Sequence, residues 1–228
     1  MLGIGHTMAR SDDQNRTARE RSREAILDAA TALFAEHGVS GASIAAITQR
    51  AGVAQGLVSY HFGGKDHLVS AVVDRWFETL FGIPEAQGPA DERLAGIIDG
   101  ALLATGYALP VQRAVFSLQQ QPKTHRLFAE SEERHGEQAR IAEDRVRAVF
   151  AARGAADPAL EEIMLRSTLE GIFMKFAVYG DTFPLEDARR WMHRLYGLPE
   201  PESDLPLPLA PRAADIRLRA AGALRSEE

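Results

Sequence analysis

Apolar residues recur with a helical period along most of the chain, beginning with a stripe between residues 26 and 34. Ile26, Leu27, Ala30, Leu33 and Phe34 lie on one side of a helix, because their spacing follows its turns. The pattern predicts a first helix over 18–37, ended by Gly38. Residues 1–17 have no apolar period, so we expect a disordered, locally basic N-terminal arm there.

The next apolar pattern is short and is interrupted by a glycine. Ile44 and Ile47 share a helix face, and they follow Ser43, a residue type that favours the N-cap position. Gly52 comes directly after this face, where a left-handed backbone is usually needed. The spacing predicts a helix over 44–51, a tight turn and a second short helix over 55–61. This arrangement is typical of a helix-turn-helix.

Beyond Gly63-Gly64 the patterns remain helical. A wide apolar stripe predicts a fourth helix from Lys65 to about Leu80. Further helices are expected over 91–108, 110–121, 123–153, 158–179 and 184–196. No alternating strand pattern is found. The expected fold class is all-α, with an N-terminal three-helix helix-turn-helix DNA-binding domain and a C-terminal helical domain for ligand binding and dimerisation.

We expect four segments along the chain. They are the arm at 1–17, the helix-turn-helix domain at 18–64, the effector-binding and dimerisation domain at 65–197, and an extension at 198–228. Five prolines fall within residues 198–211, which indicates a linker or an extended strap. Residues 212–225 have the pattern of a short amphipathic helix, which either docks or stays loose.

Charge is distributed unevenly along the chain. The net charge is −6, whereas residues 1–66 carry 7 Lys/Arg and 7 Asp/Glu and are neutral. We call residues 1–66 the head and residues 67–228 the body, which carries the whole net negative charge. With a neutral head, contact with DNA depends on the positions of individual Lys and Arg side chains. The chain has no cysteine, which excludes disulfides and thiolate metal sites. We find no apolar run long enough for a membrane span and no signal peptide, and we expect a cytoplasmic protein with no membrane partner.

Polar side chains around the second short helix suit nucleic acid. Lys65 stands at a helix start, where backbone N–H groups also attract phosphate. Gln55 can read an adenine edge with two hydrogen bonds. Tyr60 either contacts phosphate or sugar or is simply exposed, and His61 either bridges a phosphate or caps its helix. The expected DNA-contacting residues are Ser43, Gln55, Gly56, Ser59, Tyr60, His61 and Lys65.

Other chemistries find little support in the sequence. The histidines are not spaced as metal ligands, and no nucleophile motif or glycine-rich phosphate loop is present. We therefore expect no enzyme activity, no cofactor and no metal. Two rival interpretations are an enzyme that uses a helical pocket and a helical adaptor that binds only protein. The first lacks an acid, base or nucleophile, and the second has no use for the outward polar helix beside Lys65.

The helical body is expected to hold a small apolar effector and to form a homodimer. Aromatic residues on helices are mostly core residues, but as a group they suggest a pocket between 91–121 and 158–180. The expected ligand-binding residues are Tyr107, Phe116, Gln120, Phe128, Glu170 and Phe173. The last two helices have apolar stripes wider than one partner helix requires, which indicates a four-helix bundle between two subunits. The expected dimer residues are Ile163, Leu169, Ile172, Phe176, Trp191 and Leu195.

The head also resembles a known family. The string Ser59-Tyr60-His61-Phe62-Gly63-Gly64-Lys65, with Ser43-Ile44 and Ala51-Gly52-Val53, resembles the DNA-binding domain of the TetR family of transcriptional repressors. The family commonly has Tyr-x-His-Phe, whereas Ser59 stands at the Tyr place here, a form similar to the choline-responsive repressors. The resemblance, strongest over 19–80, implies a homodimeric repressor that binds a pseudo-palindromic DNA operator and is released by a small-molecule effector. It does not name the effector.

Overall fold

The computed structural model describes residues 5–82 and 86–207, with side chains from residue 14 onward. Within these ranges the regular structure is entirely helical. The helices are α1 Gly5–Gly41, α2 Ile44–Ala51, α3 Gly56–Phe62, α4 Lys65–Phe81, α5 Ala90–Tyr107, α6 Leu109–Gln119, α7 Pro122–Arg134, α8 Gly136–Ala152, α9 Pro158–Tyr179 and α10 Leu185–Leu195, with a 3-10 turn at Gly180–Thr182. The all-α prediction is confirmed.

The chain divides into two compact units. The first contains the described residues up to Arg75 together with Ala114–Ser131, and the second contains Trp76–Arg113 together with the residues from Glu132 onward. The division falls inside α4, α6 and α7, so each of these helices contributes to both units. The predicted functional boundary between residues 64 and 65 stays a prediction.

The first unit is built on the apolar stripe that the sequence shows in α1. All five predicted stripe residues are buried, and Ile26, Ala30 and Phe34 are completely so. Helices α1, α2 and α3 pack against one another, with Ile47 of α2 and Val58 of α3 buried. Burying apolar surface in this way is the main stabilising contribution to such a small helical unit.

In the second unit, α5 is the central helix. It packs against α8, α9 and α10, and its side chains Leu94, Ile98 and Leu102 have no exposed surface. Leu165 of α9 and Met192 of α10 are also buried. The three-helix contact explains why α5 is apolar on much of its circumference.

Two helices differ from the sequence-based expectation. Helix α1 begins at Gly5 rather than near residue 18, so residues 5–17 are helical rather than disordered. No glycine or proline interrupts residues 6–37, and Arg16 lies 4.0 Å from Glu20 one turn later, so the helix propagates without an apolar stripe. Gly38 has φ 66° and ψ 172°, which interrupts the helix where its end was predicted.

The second difference is a break in the region predicted as one helix over 123–153. Helix α7 ends at Arg134 and α8 starts at Gly136, with His135 between them at φ −94° and ψ 5°. The His135 ring stacks on Phe77 with ring centroids 5.1 Å apart. This tertiary contact and the weak helix propensity of Gly136 favour a break that the polar sequence around it does not reveal.

Residues 198–207 follow α10 as an extended strap. Leu198 is buried, the Leu205 N–H donates to Glu186 Oε2 at 3.1 Å, and the Tyr107 hydroxyl donates to the Pro206 carbonyl at 2.9 Å. The sequence left a linker or a strap open, and the structure shows a strap. The amphipathic helix expected over 212–225 lies outside the described residues.

Among the described helices, none is by itself long and apolar enough to cross a membrane. Helices α5 and α6 are long and apolar enough only when they are taken together, and the chain bends by 87° at the break between them.

Candidate nucleic-acid interface

Helices α2 and α3 are joined by a tight turn whose ends are fixed by hydrogen bonds. The Ser43 hydroxyl accepts a hydrogen bond from the Ala46 N–H at 3.0 Å, which confirms Ser43 as the N-cap of α2. Gly52 ends α2 at φ 67° and ψ 32°, a left-handed conformation that favours glycine. The Val53 N–H then donates to the Thr48 carbonyl at 3.0 Å. These local bonds set the angle at which α3 leaves the turn.

Helix α3 has one buried side and one exposed side. Val58 and Phe62 are buried against the rest of the unit, whereas Gly56, Ser59 and Tyr60 are exposed. Tyr60 has 60% of its surface exposed, which is unusual for an aromatic residue that serves only packing. Gln55 precedes the helix, is exposed, and makes no capping hydrogen bond with its side chain. The exposed side therefore presents polar groups to an outside partner.

Arginines of α1 lie over the aromatic rings of α3. The Arg19 guanidinium is 5.1 Å from the centre of the Tyr60 ring, and that of Arg23 is 5.1 Å from the centre of the Phe62 ring. Such cation–π contacts hold a positive charge beside an aromatic ring without neutralising it. The exposed end of α3 is thus flanked by two guanidinium groups, and that of Arg23 is also paired with the Glu24 carboxylate at 3.1 Å.

His61 links α3 to α1. Its Nε2 atom lies 2.8 Å from the Ser22 hydroxyl. Burial of the ring, followed by the positive charges of Arg19 and Arg23, lowers the pKa of His61 below its ordinary value. The sequence left open whether His61 bridges a phosphate or holds the turn, and the structure shows a contact between helices.

Lys65 begins α4 and is only partly free for an outside anion. Its ammonium donates a hydrogen bond to the Val39 carbonyl at 2.6 Å, beyond the interruption of α1 at Gly38. An ammonium has three N–H donors, so a phosphate oxygen can still be bound at the same time. Lys65 therefore has a structural role that the sequence did not indicate, and its phosphate contact stays a prediction.

A cleft of about 620 Å³ lies between α1 and α3. Its lining combines basic, polar and aromatic side chains: Asn15, Arg16, Ala18, Arg19, Ser22, Leu57, Tyr60 and His61. The cleft brings Tyr60 and His61 together with Arg16 and Arg19 of α1. The sequence predicted these arginines as part of a locally basic segment, which is either a solvated tail and helix face or an arm that tracks phosphates or enters a minor groove.

The dimer residues predicted from the sequence fall into two groups. Ile163, Trp191 and Leu195 are exposed. Leu169, Ile172 and Phe176 are buried within the subunit, which is the environment of core residues, and their place in an interface stays a prediction. Helix α9 is apolar on nearly all sides, so periodicity alone could not separate its core side from its outer side.

The outer side of α9 and α10 carries a different apolar set. On α9 it runs along the helix with alternating steps of three and four residues, interrupted by the small residues Ser167 and Gly171. We call this set, together with the exposed residues of α10, the apolar face: Leu160, Ile163, Met164, Met174, Val178, Trp191 and Leu195.

The predicted ligand-binding residues are not alike in exposure. Phe128 and Phe173 are buried, Phe116 is half-buried, and Tyr107, Gln120 and Glu170 are exposed. The Tyr107 hydroxyl is bonded to the strap, and the Glu170 carboxylate lies 3.9 Å from the Arg166 guanidinium. The pocket stays a prediction.

Sequence reasoning missed a buried polar cluster between α5 and α10. Arg189 donates two hydrogen bonds to the Asp99 carboxylate, at 2.7 and 2.8 Å, and His193 Nε2 lies 2.9 Å from the same group. Burial on its own raises the pKa of Asp99, but the hydrogen bonds from Arg189 and His193 outweigh it and lower that pKa overall. The available signal was an acid inside the apolar pattern of α5, with Arg189 and His193 four residues apart on α10.

Two features define the class of protein. The first is the helix-turn-helix of α2 and α3, with its exposed polar side on α3, and the second is the helical body that follows it. A family model described as bacterial regulatory proteins, tetR family, matches residues 26–72. The match covers the helix-turn-helix head of this chain, from α1 to α4.

Individual relatives agree with this assignment. The chain is 45% identical over 93 residues to the HTH-type transcriptional repressor Rv3405c of Mycobacterium tuberculosis, a match that covers 41% of this chain and 47% of the relative. The chain thus spans about half the length of the first curated relatives it matches. The HTH-type transcriptional regulator BetI of Paraburkholderia phymatum is 27% identical over 183 residues, covering 75% of this chain and 89% of that protein.

A solved structure shares the fold over most of the chain. The SmeT–triclosan complex matches with a TM-score of 0.60 and 23% identity, covering 82% of this chain and 98% of that chain. This similarity shows the fold.

Proposed function

We propose that this protein is a transcriptional repressor that binds a pseudo-palindromic DNA operator as a homodimer and is released by a small effector. The observation that carries the proposal is the outward polar side of α3, flanked by cations of α1, in a head of the TetR family. Binding to chromosomal DNA would place the protein in the cytoplasm.

In the proposed complex, α3 enters the major groove. Gln55 and Gly56 stand at its N-terminal end, where side chains and backbone approach base edges. An amide side chain can form two hydrogen bonds with adenine, so Gln55 is the candidate for direct base recognition. Ser59, Tyr60 and Lys65 are candidates for phosphate and sugar contacts, which position the helix without reading sequence.

The apolar face on α9 and α10 is the proposed dimer interface. A monomer that exposed it would leave several large apolar side chains of neighbouring turns in water. Small residues in the middle of the α9 stripe, Ser167 and Gly171, let a second helix approach closely. A two-fold axis through this face would place two heads at fixed separation, so that they read two half-sites about one helical turn of DNA apart.

Effector binding is proposed for the helical body. The support is a shared fold with the SmeT–triclosan complex, in which that protein binds triclosan. A comparable ligand here would be mostly apolar with one or two polar groups. Phe128 and Phe173 are the buried aromatic candidates, and the polar candidates are Gln120 and Glu170.

A gel-shift experiment with DNA from beside the protein's own gene tests the function. We expect a sequence-specific complex that survives excess random DNA. Gln55→Ala should relax the preference at one base pair in each half-site, by roughly 1–3 kcal/mol, while random DNA is bound as before. An identical base profile for the variant would show that Gln55 does not read sequence.

A further inference from the structure

His61 lines the cleft between α1 and α3 in a defined protonation pattern. The Ser22 hydroxyl donates its only proton to the Arg19 carbonyl at 2.9 Å. Its oxygen must therefore accept the hydrogen bond from His61 Nε2, which lies 2.8 Å away. In the neutral ring the proton is thus on Nε2, and Nδ1 carries a lone pair. Among the described residues, Nδ1 has no hydrogen-bond partner.

The charges around His61 disfavour a second proton on the ring as long as the cleft is empty. Burial lowers the pKa of His61, and the guanidinium groups of Arg19 and Arg23 lower it further. The remaining charged or titratable groups on the elements around α3 have both signs. On α1, Arg16 lies 4.0 Å from Glu20 and Arg23 lies 3.1 Å from Glu24, and Arg50 of α2 is paired with Glu36 at 2.8 Å. Tyr60 lines the cleft, and Lys65, Asp66 and His67 stand at the start of α4. Among the residues that line the cleft itself, however, the charged ones are Arg16 and Arg19, and none is acidic.

An anion bound in the cleft would favour the protonated form of the His61 ring. It would offset the repulsion from the two arginines and accept a hydrogen bond from a protonated Nδ1. A phosphoryl oxygen suits this arrangement, because it is a charged acceptor and arginine is its common partner.

We propose that the α1–α3 cleft is a phosphoryl-binding site and that binding is coupled to the uptake of one proton by Nδ1 of His61. The proton comes from an acid in the solvent, and the bond that forms is the Nδ1–H bond of the imidazolium. This inference rests on the proposed function in one respect, since it takes a phosphate of the DNA backbone as the occupant. Because the complex holds one more proton than the free protein, the affinity for the phosphoryl group must increase as pH falls. The increase takes place between the pKa of His61 in the complex and its lower pKa in the free protein.

The direct test is the titration of the His61 ring, followed by NMR on the full chain. It is measured in chloride, in inorganic phosphate at equal ionic strength, and with a random-sequence duplex. We expect the midpoint to move upward with phosphate and with the duplex but not with chloride. An upward shift with inorganic phosphate alone would retain the phosphoryl site but reject DNA as its source. An unchanged midpoint in both would overturn the proposal.

A second experiment compares the affinity for the random-sequence duplex between about pH 6 and 8. The wild type should gain up to about tenfold per pH unit for each head. His61→Gln keeps an N–H donor for Ser22 but cannot titrate, so its gain should be smaller. The control is His37→Gln, because His37 is an exposed histidine of α1 that lies outside the cleft. This variant should behave as the wild type.

The outcomes separate this inference from the proposed function. Parallel pH dependence of the wild type and His61→Gln would overturn the proton coupling while leaving DNA binding intact. If neither the random-sequence duplex nor DNA from beside the protein's own gene binds at any pH, the proposed function fails, and the titration in inorganic phosphate decides the phosphoryl site by itself. That titration uses the wild type, so a folding defect in His61→Gln does not affect it.

Discussion

Replacing Trp191 by aspartate should convert the proposed dimer into monomers. Trp191 has 47% of its surface exposed in the subunit. A tryptophan can bury about 200 Å². About half of that area, at about 25 cal/mol per Å², amounts to about 2 kcal/mol per subunit if the interface covers it fully. Both subunits lose this contribution across a two-fold axis, so the dissociation constant should rise by roughly three orders of magnitude.

The assay is sedimentation velocity over a range of protein concentrations, with circular dichroism to show that helix content is kept. Trp191→Asp leaves the buried residues of α10 unchanged, so the fold should persist. Operator affinity should fall together with dimerisation, because one head makes too few contacts. Ile141→Asp is the matched control, since Ile141 of α8 is 39% exposed but lies outside the apolar face. A Trp191→Asp protein that dimerises as tightly as the wild type would show that the interface lies elsewhere.

Two further substitutions test separate parts of the account. Lys65→Ala should weaken binding to all DNA sequences nearly equally and lower the slope of affinity against salt by about one unit, and an unchanged slope in a salt titration would remove Lys65 from the phosphate contacts. Asp99→Asn tests stability. Because the pKa of Asp99 is lowered in the folded protein, its ion pairs stabilise the fold at pH values above the ordinary carboxyl pKa. This stabilisation is lost as pH falls through the pKa of Asp99 in the folded protein. Denaturant unfolding should therefore show a smaller acid-induced loss for Asp99→Asn than for the wild type, and equal losses would contradict the role of the cluster.

The helix-turn-helix was predictable because its signals are local. Helix α2 spans the predicted residues, since Ser43 caps it and Gly52 ends it within the same short stretch. Such caps and turns depend on neighbours in sequence and hardly on tertiary contacts. Helix α3 is displaced by only one residue from its expected start.

The break at His135 and the start of α1 were not predictable from the same signals. The first depends on a contact between His135 and Phe77, which are 58 residues apart in sequence (135 − 77). The second depends on a polar segment that continues a helix already stabilised further along. Periodicity reports the buried side of an element and says little about either situation.

The candidate site shows the same limit. Exposed Tyr60 follows from the burial of Val58 and Phe62 on the other side of α3, whereas Gln55 is exposed because it precedes the helix. In contrast, the bond of Lys65 to the Val39 carbonyl and that of His61 to Ser22 join residues 26 and 39 positions apart, and no local pattern indicates them. Likewise, only packing shows that Phe176 is a core residue, whereas Val178, two residues later, is exposed.

The central claim, that two heads of this protein read DNA sequence, is tested most directly by selection from a random duplex library followed by sequencing. We expect enrichment of a two-fold symmetric motif whose half-sites lie about one helical turn apart. We also expect that Trp191→Asp abolishes the enrichment. A library that stays random after selection with the dimeric wild type, or a motif without symmetry, would contradict the claim.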